Sequence, residues 1–342
     1  MSRRIFLLTV IFTIALLSIY NLPSQGYPLS ETSSLASWPG GLIIDHNCID
    51  LDLIPGEWIE SAQDNLRIHY AHTSHGGQIT TGLSRIEAAN STFASSIGDC
   101  VLPTDLGELC ILDGNSPHSY ITPDLYWQGV SALEITQNTL DNNPTLTASL
   151  WSWCTQLDSY SEQDTQEYLD AMSSLETANP DVTFIYMTGN AQAGGSSGYN
   201  RWLRNEQIRQ YCLDNDKILF DFADLDCWSD GEHSTYDYVV GEQTLHIPIE
   251  HADFNGDEAA HTTYTSCEQK GRAFWWLMTM MAGWNAPDPS TTTTTSSTTT
   301  SSTTSQTVPI AGQPFLNDVI LYTTIASTIL LIGYALVRRH YS

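Results

Sequence analysis

The sequence predicts an α/β domain with a parallel sheet covered by helices on both faces. Two observations predict it. From Leu146 onward, short runs rich in β-branched and aromatic residues (146–153, 182–187, 217–222) alternate with longer segments of helical period (162–178, 199–213). Residues 65–78, NLRIHYAHTSHGGQ, read as a strand, a tight turn and the start of a helix. Strands separated by crossover helices lie parallel, and ligand-binding groups then gather at the C-terminal strand ends.

The elements follow in order. Leu66, Ile68 and Tyr70 alternate with Arg67 and His69, the period of a half-buried strand, and Ile79, Leu83 and Ile86 recur at helical spacing. Ser74 therefore stands at the turn, where a hydroxyl is exposed beside the positive end of a helix. A helix is expected over 82–93 and a strand near 109–112. Residues 115–127 carry two prolines and the rings of Tyr120, Tyr126 and Trp127, and read as a loop in which Tyr126 and Trp127 face a ligand. Gly129 opens a helix that Asn143-Pro144 stops. The strand over 146–153 puts Trp151 and Trp153 on one face, which marks them as core. A helix over 162–178 ends at Asn179-Pro180, and the last helix carries the large apolar side chains of 275–281.

The flanks give an address. A basic start, MSRR, precedes an apolar run over 5–19, so residues 1–25 read as a signal peptide or an uncleaved signal anchor, followed by a lead-in over 26–41. The folded domain is expected over 42–285. Residues 286–316 form a Ser/Thr-rich linker that cannot bury a core. An uncharged apolar stretch within 317–338 is long enough to span a bilayer, and Arg338 and Arg339 put the tail on the cytoplasmic side. The expectation is a single-pass cell-membrane protein with an extracellular domain. Asn90-Ser91-Thr92 is a glycosylation sequon that such a location would use. The seven cysteines suit an oxidising compartment. Candidate pairs are Cys100 with Cys110 and Cys227 with Cys267, and Cys154 is the first choice for the unpaired thiol, ahead of Cys212. A net charge of −27, from 39 acidic against 12 basic residues, argues against a nucleic-acid partner. Oligomeric state is not legible.

The order of these features resembles the SGNH/GDSL hydrolases, esterases with a flavodoxin-like three-layer α/β/α fold, over roughly residues 66–284. The resemblance implies Ser74 as nucleophile, although the turn reads His72-Thr73-Ser74 rather than Gly-Asp-Ser. It implies Gly129, in QGVSAL, as a backbone oxyanion donor, with Gln156 after the next strand as a side-chain donor. Gly189-Asn190 looks closer to the family motif but follows a later strand, so Asn190 is the alternative donor. His261 ahead of the last helix matches the family's histidine, with Glu258 three and Asp257 four residues before it.

The chemistry can also be read from the residues themselves. A serine hydroxyl attacks an acyl carbon only when a base takes its proton and donors stabilise the oxyanion. His72, His75, His251 and His261 are candidate bases. His72 and His75 lie so close to Ser74 in sequence that their side chains are expected to diverge from it, leaving them to line the substrate site. His261 is then the base, and Asp257 or Glu258 fixes its tautomer. Asp253, Asn255 and Asp257 begin like a calcium loop, but glycine is fourth rather than sixth and Tyr264 is twelfth. The four histidines have no zinc spacing. No metal or cofactor is therefore assigned. The expected function is a cell-surface serine ester hydrolase acting on an extracellular acylated glycan or lipid. The alternative is a catalytically silent glycan-binding or adhesion module, and a metal-dependent hydrolase comes third.

Overall fold

The computed structural model describes residues 41–287. The expected signal segment, linker, membrane span and tail lie outside the described residues. No helix among the described residues is long and apolar enough to cross a membrane.

The domain is α/β, as expected, and its centre is a seven-stranded sheet. In chain order the strands are β1 (Leu42–Ile44), β2 (Arg67–His72), β3 (Ser95–Asp99), β4 (Leu109–Asp113), β5 (Ala148–Ser152), β6 (Thr183–Met187) and β7 (Ile218–Phe220). In space they run β1-β7-β6-β5-β2-β4-β3, and every pairing is parallel. From β2 the chain goes to the edge strand β3, returns to β4 beside β2, then crosses to β5 on the other side of β2 and builds outward that way. The order therefore reverses between β2 and β5, and such a switch point leaves a crevice at the C-terminal strand ends.

Helices cover both faces. On one lie α1 (Gly56–Asn65), α2 (Gly77–Ala89) and α7 (Tyr264–Met281); on the other lie α3 (Val130–Asn142), α4 (Glu162–Ala178) and α5 (Gly195–Asp214). A short α6 (Phe222–Cys227) follows β7. α2 and α7 approach closely because glycines face each other: a methyl on Gly82 would run into the Cys267 carbonyl, and one on Gly271 would meet Gly82 itself. α4 starts with a full capping box, Ser161 with Asp164, and ends at Asn179 as its sequence requires. Two small antiparallel pairs complete the structure, β8 (Trp228–Ser229) with β9 (Glu232–His233) and β10 (Thr235–Val240) with β11 (Gln243–Pro248).

β1, β3, α1 and the β10–β11 hairpin carry little sequence signal. β1 has three residues, and β3, SSIGD, is a mostly polar edge strand. β2 departs from the half-buried expectation: Ile68, His69, Tyr70 and Ala71 are all buried. A central strand between two helix layers has no wet face, so alternation in its sequence no longer reports exposure. His69 is accommodated by a 2.8 Å bond from Nδ1 to the Ser149 hydroxyl, and burial lowers its pKa to about 4.

Tyr126 and Trp127 do not face a ligand. Both are buried, because the 115–127 loop folds back over β2 and β5. Ile121 N–H donates to the His72 carbonyl, and the Tyr126 hydroxyl lies 2.6 Å from Ser149 Oγ. Trp127 packs edge-on against Trp151 and Tyr168, in one aromatic cluster with Trp153. Trp151 and Trp153 are core, as their shared face implied.

Candidate active site

Register sets the site. β2 and β5 pair through His72↔Ser152, so the segments beginning at Thr73 and Trp153 leave the sheet side by side at the switch point. After β2 the chain makes one 3-10 turn, Ser74–Gly76, and enters α2. Gly76 permits that turn: any β-carbon there would strike the His72 side chain and the Tyr70 hydroxyl, which donates to the Gly76 carbonyl at 2.8 Å.

The group on which the turn converges is Cys154. Its Sγ lies 2.9 Å from His75 Nδ1 and 3.3 Å from Ser74 Oγ. The Thr73 hydroxyl is buried nearby and makes no hydrogen bond. Burial alone would push the thiol up, but hydrogen bonds from His75 and Ser74, the His75 charge and Thr73 outweigh it and hold the Cys154 pKa at about 6. For His75, burial opposes the charged ring, yet bonds to Cys154 and Gln192 and the thiolate's charge raise its pKa above the usual value. The pair thus favours thiolate and imidazolium together, the state of an activated cysteine.

A second layer fixes this pair. His75 Nε2 lies 2.8 Å from Gln192 Oε1. Gln192 Nε2 donates to Glu250 Oε1 at 3.0 Å and to the His261 carbonyl at 2.6 Å. With its amide nitrogen so engaged, Gln192 offers His75 an acceptor, so Nε2 carries a proton and Nδ1 faces the sulfur. Cys154 is held from both sides of its backbone: its N–H donates to Gln156 Oε1 at 2.7 Å, and its carbonyl accepts from Asn190 Nδ2 at 2.6 Å.

The candidate residues therefore divide. Ser74 and His75 meet at one sulfur rather than diverging, because Cys154 leaves the neighbouring strand at the same level and its Sγ is within reach of both. His261 contributes its ring, 4.9 Å from that of His75 between centroids, and its carbonyl, but no bond to Ser74. Ala260 and His261 both have positive φ, 48° and 70°, which aims that carbonyl at Gln192. Glu258 does not orient His261: its Oε2 accepts from Tyr264 N–H at 2.7 Å, at the start of α7. Asp257 is exposed. Gln156 and Asn190 brace the Cys154 backbone. Gly129, at φ +86°, precedes α3 as expected. His72 pairs with Asp113, 3.2 Å away, rather than with Ser74. The sequence places Cys154 at a strand end where ligand groups gather and marks it as a free thiol, but gives it no catalytic role.

No protein-family model matches the chain, and no curated protein sequence matches it. The functional reading therefore rests on geometry.

All seven cysteines are free, so neither Cys100–Cys110 nor Cys227–Cys267 is paired. Burial raises the Cys48 pKa to about 12 and that of Cys267 to about 11, which sets Cys154 apart as the thiol ready to ionise. The candidate histidines form no metal cluster; among the described residues the one group able to hold an ion is Asp45, His46 and Asp224. There His46 Nδ1 already lies 2.5 Å from Asp224 Oδ2, and its ring is stacked on Trp228.

Proposed function

We propose that the domain is a flavodoxin-like acyl hydrolase, related in layout to the SGNH/GDSL enzymes but using Cys154 as its nucleophile. The observation that carries this reading is the Ser74/His75/Cys154 contact at the sheet's switch point. His75 is the acid–base group and Gln192 its orienting partner, an arrangement with the logic of a catalytic triad. The Cys154 thiolate, held by the Ser74 hydroxyl until it reacts, attacks the ester carbonyl, and the negative charge passes from sulfur to the carbonyl oxygen. As the tetrahedral intermediate collapses, the imidazolium gives its Nδ1 proton to the departing alkoxide. Neutral His75 then takes a proton from water, which attacks the thioester and releases the acid and the thiolate. The flanking segments support an extracellular address, so the substrate class is an acyl ester on a surface glycan or lipid.

Hydrolysis of short activated esters by the full-length protein tests this. Cys154→Ala is expected to abolish turnover, while Ser74→Ala keeps a measurable part of it. Full loss in Ser74→Ala with turnover retained in Cys154→Ala would restore the serine mechanism. Loss on adding a chelator, with Cys154→Ala active, would favour a metal-dependent reaction.

A further inference from the structure

We infer that Glu250 is a positioning residue for the Cys154–His75 pair: its carboxylate holds the Gln192 amide in the one orientation that lets His75 carry a positive charge. The inference rests on the reading of Cys154 as an activated thiol.

An amide has two faces that differ only in donor and acceptor. With Oε1 toward His75, Gln192 accepts from Nε2–H and the ring can be doubly protonated. Turned over, it would present N–H to Nε2, and a protonated ring would face a donor. The imidazolium would lose its partner, and the thiolate it stabilises would be disfavoured. The choice is made on the far side of Gln192, where two acceptors, Glu250 Oε1 and the His261 carbonyl, receive the amide N–H groups. Glu250 is itself fixed. Its backbone N–H donates to the Ala191 carbonyl at 2.8 Å, and the Thr262 hydroxyl, which has the Phe254 carbonyl at 2.9 Å, lies 3.2 Å from the same Oε1. The Gln192 backbone is tied to Asn190 Oδ1 at 3.0 Å, so the segment cannot drift to suit a turned amide.

The charged groups that act on Glu250 come from two elements, Asp226 on α6 and Lys270 on α7. Lys270 is fully buried and pairs with Asp226 at 2.7 Å, so most of its charge is taken up there. Burial and the Asp226 charge raise the Glu250 pKa to about 7. Oε1 already accepts from Gln192 Nε2, so a proton on Glu250 goes to Oε2 and the acceptor role survives in both states.

The test reads Cys154 ionisation directly and needs no substrate. Full-length protein is alkylated with iodoacetamide across a pH series, and modification of Cys154 is followed by peptide mass mapping. In the wild type the rate is expected to rise through about pH 6. Glu250→Leu removes the acceptor and is expected to move that midpoint up by about one unit, a roughly 10-fold slower alkylation at pH 6. Glu250→Gln keeps a neutral acceptor, the role a protonated Glu250 fills near pH 6, and should stay near the wild-type midpoint. An unchanged midpoint in Glu250→Leu overturns the proposal. Should Glu250→Leu fail to fold, Glu250→Ala takes its place, and a wild-type midpoint there overturns it. Absence of ester turnover with these midpoints still ordered as expected would refute the hydrolase reading and leave the positioning role standing.

Discussion

Two histidines at the C-terminal edge of the sheet present Nδ1 to an acidic partner, and only one of them forms a candidate active site. His46 follows β1 and lies 2.5 Å from Asp224; His75 follows β2 and lies 2.9 Å from Cys154. Burial disfavours charge on both rings, and in both the partner overcomes it and raises the pKa. The surroundings differ. His46 is stacked flat on Trp228, with centroids 4.1 Å apart, and its backbone N–H also donates to Asp224, so the pair locks the β1 loop onto α6. His75 touches a thiol at the switch point, with the Ser74 hydroxyl on the same sulfur. A carboxylate is ionised without help at neutral pH, so its histidine contributes stability. A thiol is not, so its histidine supplies reactivity.

That contrast predicts opposite phenotypes. Cys154→Ala and His75→Ala are each expected to lower ester turnover on the order of 10⁴-fold, with the double variant scarcely worse, because the two groups act as a unit. Their melting temperatures should stay close to wild type. Asp224→Asn should do the reverse, costing about 1–3 kcal/mol of stability, as losing a hydrogen-bonded charge does, while turnover per folded molecule is retained. Thermal unfolding and kinetics on the same preparations would expose any mixing of the two roles.

pH sharpens the comparison. Asp224 is held below its ordinary pKa, with burial opposing and the His46 bonds prevailing, so its contribution to stability is present above the ordinary carboxylate value and is lost as pH falls through the depressed one. His46 is raised, so its contribution is complete below the ordinary histidine value and is lost as pH rises through the raised one. The stability gap between wild type and Asp224→Asn should therefore be widest between these limits and close on both sides. Turnover should instead show a rising limb near pH 6, set by Cys154, and fall at higher pH as His75 loses its proton. Ser74→Ala, the smallest effect, should move the rising limb up by about one unit, since a hydrogen bond to a charged group is worth about that much.

The fold was legible where side chains are apolar and long segments repeat. β5, α4, β6 and α5 announce themselves through period and proline stops, and the shared face of Trp151 and Trp153 declared them core. β1, β3 and α1 did not, being short or weakly apolar. Tyr126 and Trp127 misled because a loop rich in rings reads alike whether the rings meet a ligand or close over a sheet. Ser74 was found by its turn. His75 was set aside on sequence proximity to Ser74, although the partner that joins the two, Cys154, comes from the neighbouring strand. Cys154 stands 80 positions after Ser74, and Gln192 stands 117 after His75. Both stand just after predicted strands, where ligand groups gather, but their partners there are set by the parallel order β6-β5-β2, which no local signal gives.

The central claim is that acyl transfer passes through sulfur. The most direct measurement is to quench the full-length protein during turnover of an activated acetyl ester at acid pH, where thioesters persist, and to map the acetylated peptide by mass. The account predicts acetyl on Cys154, released by neutral hydroxylamine, and none on Ser74. Acetyl on Ser74 with Cys154 unmodified would contradict it.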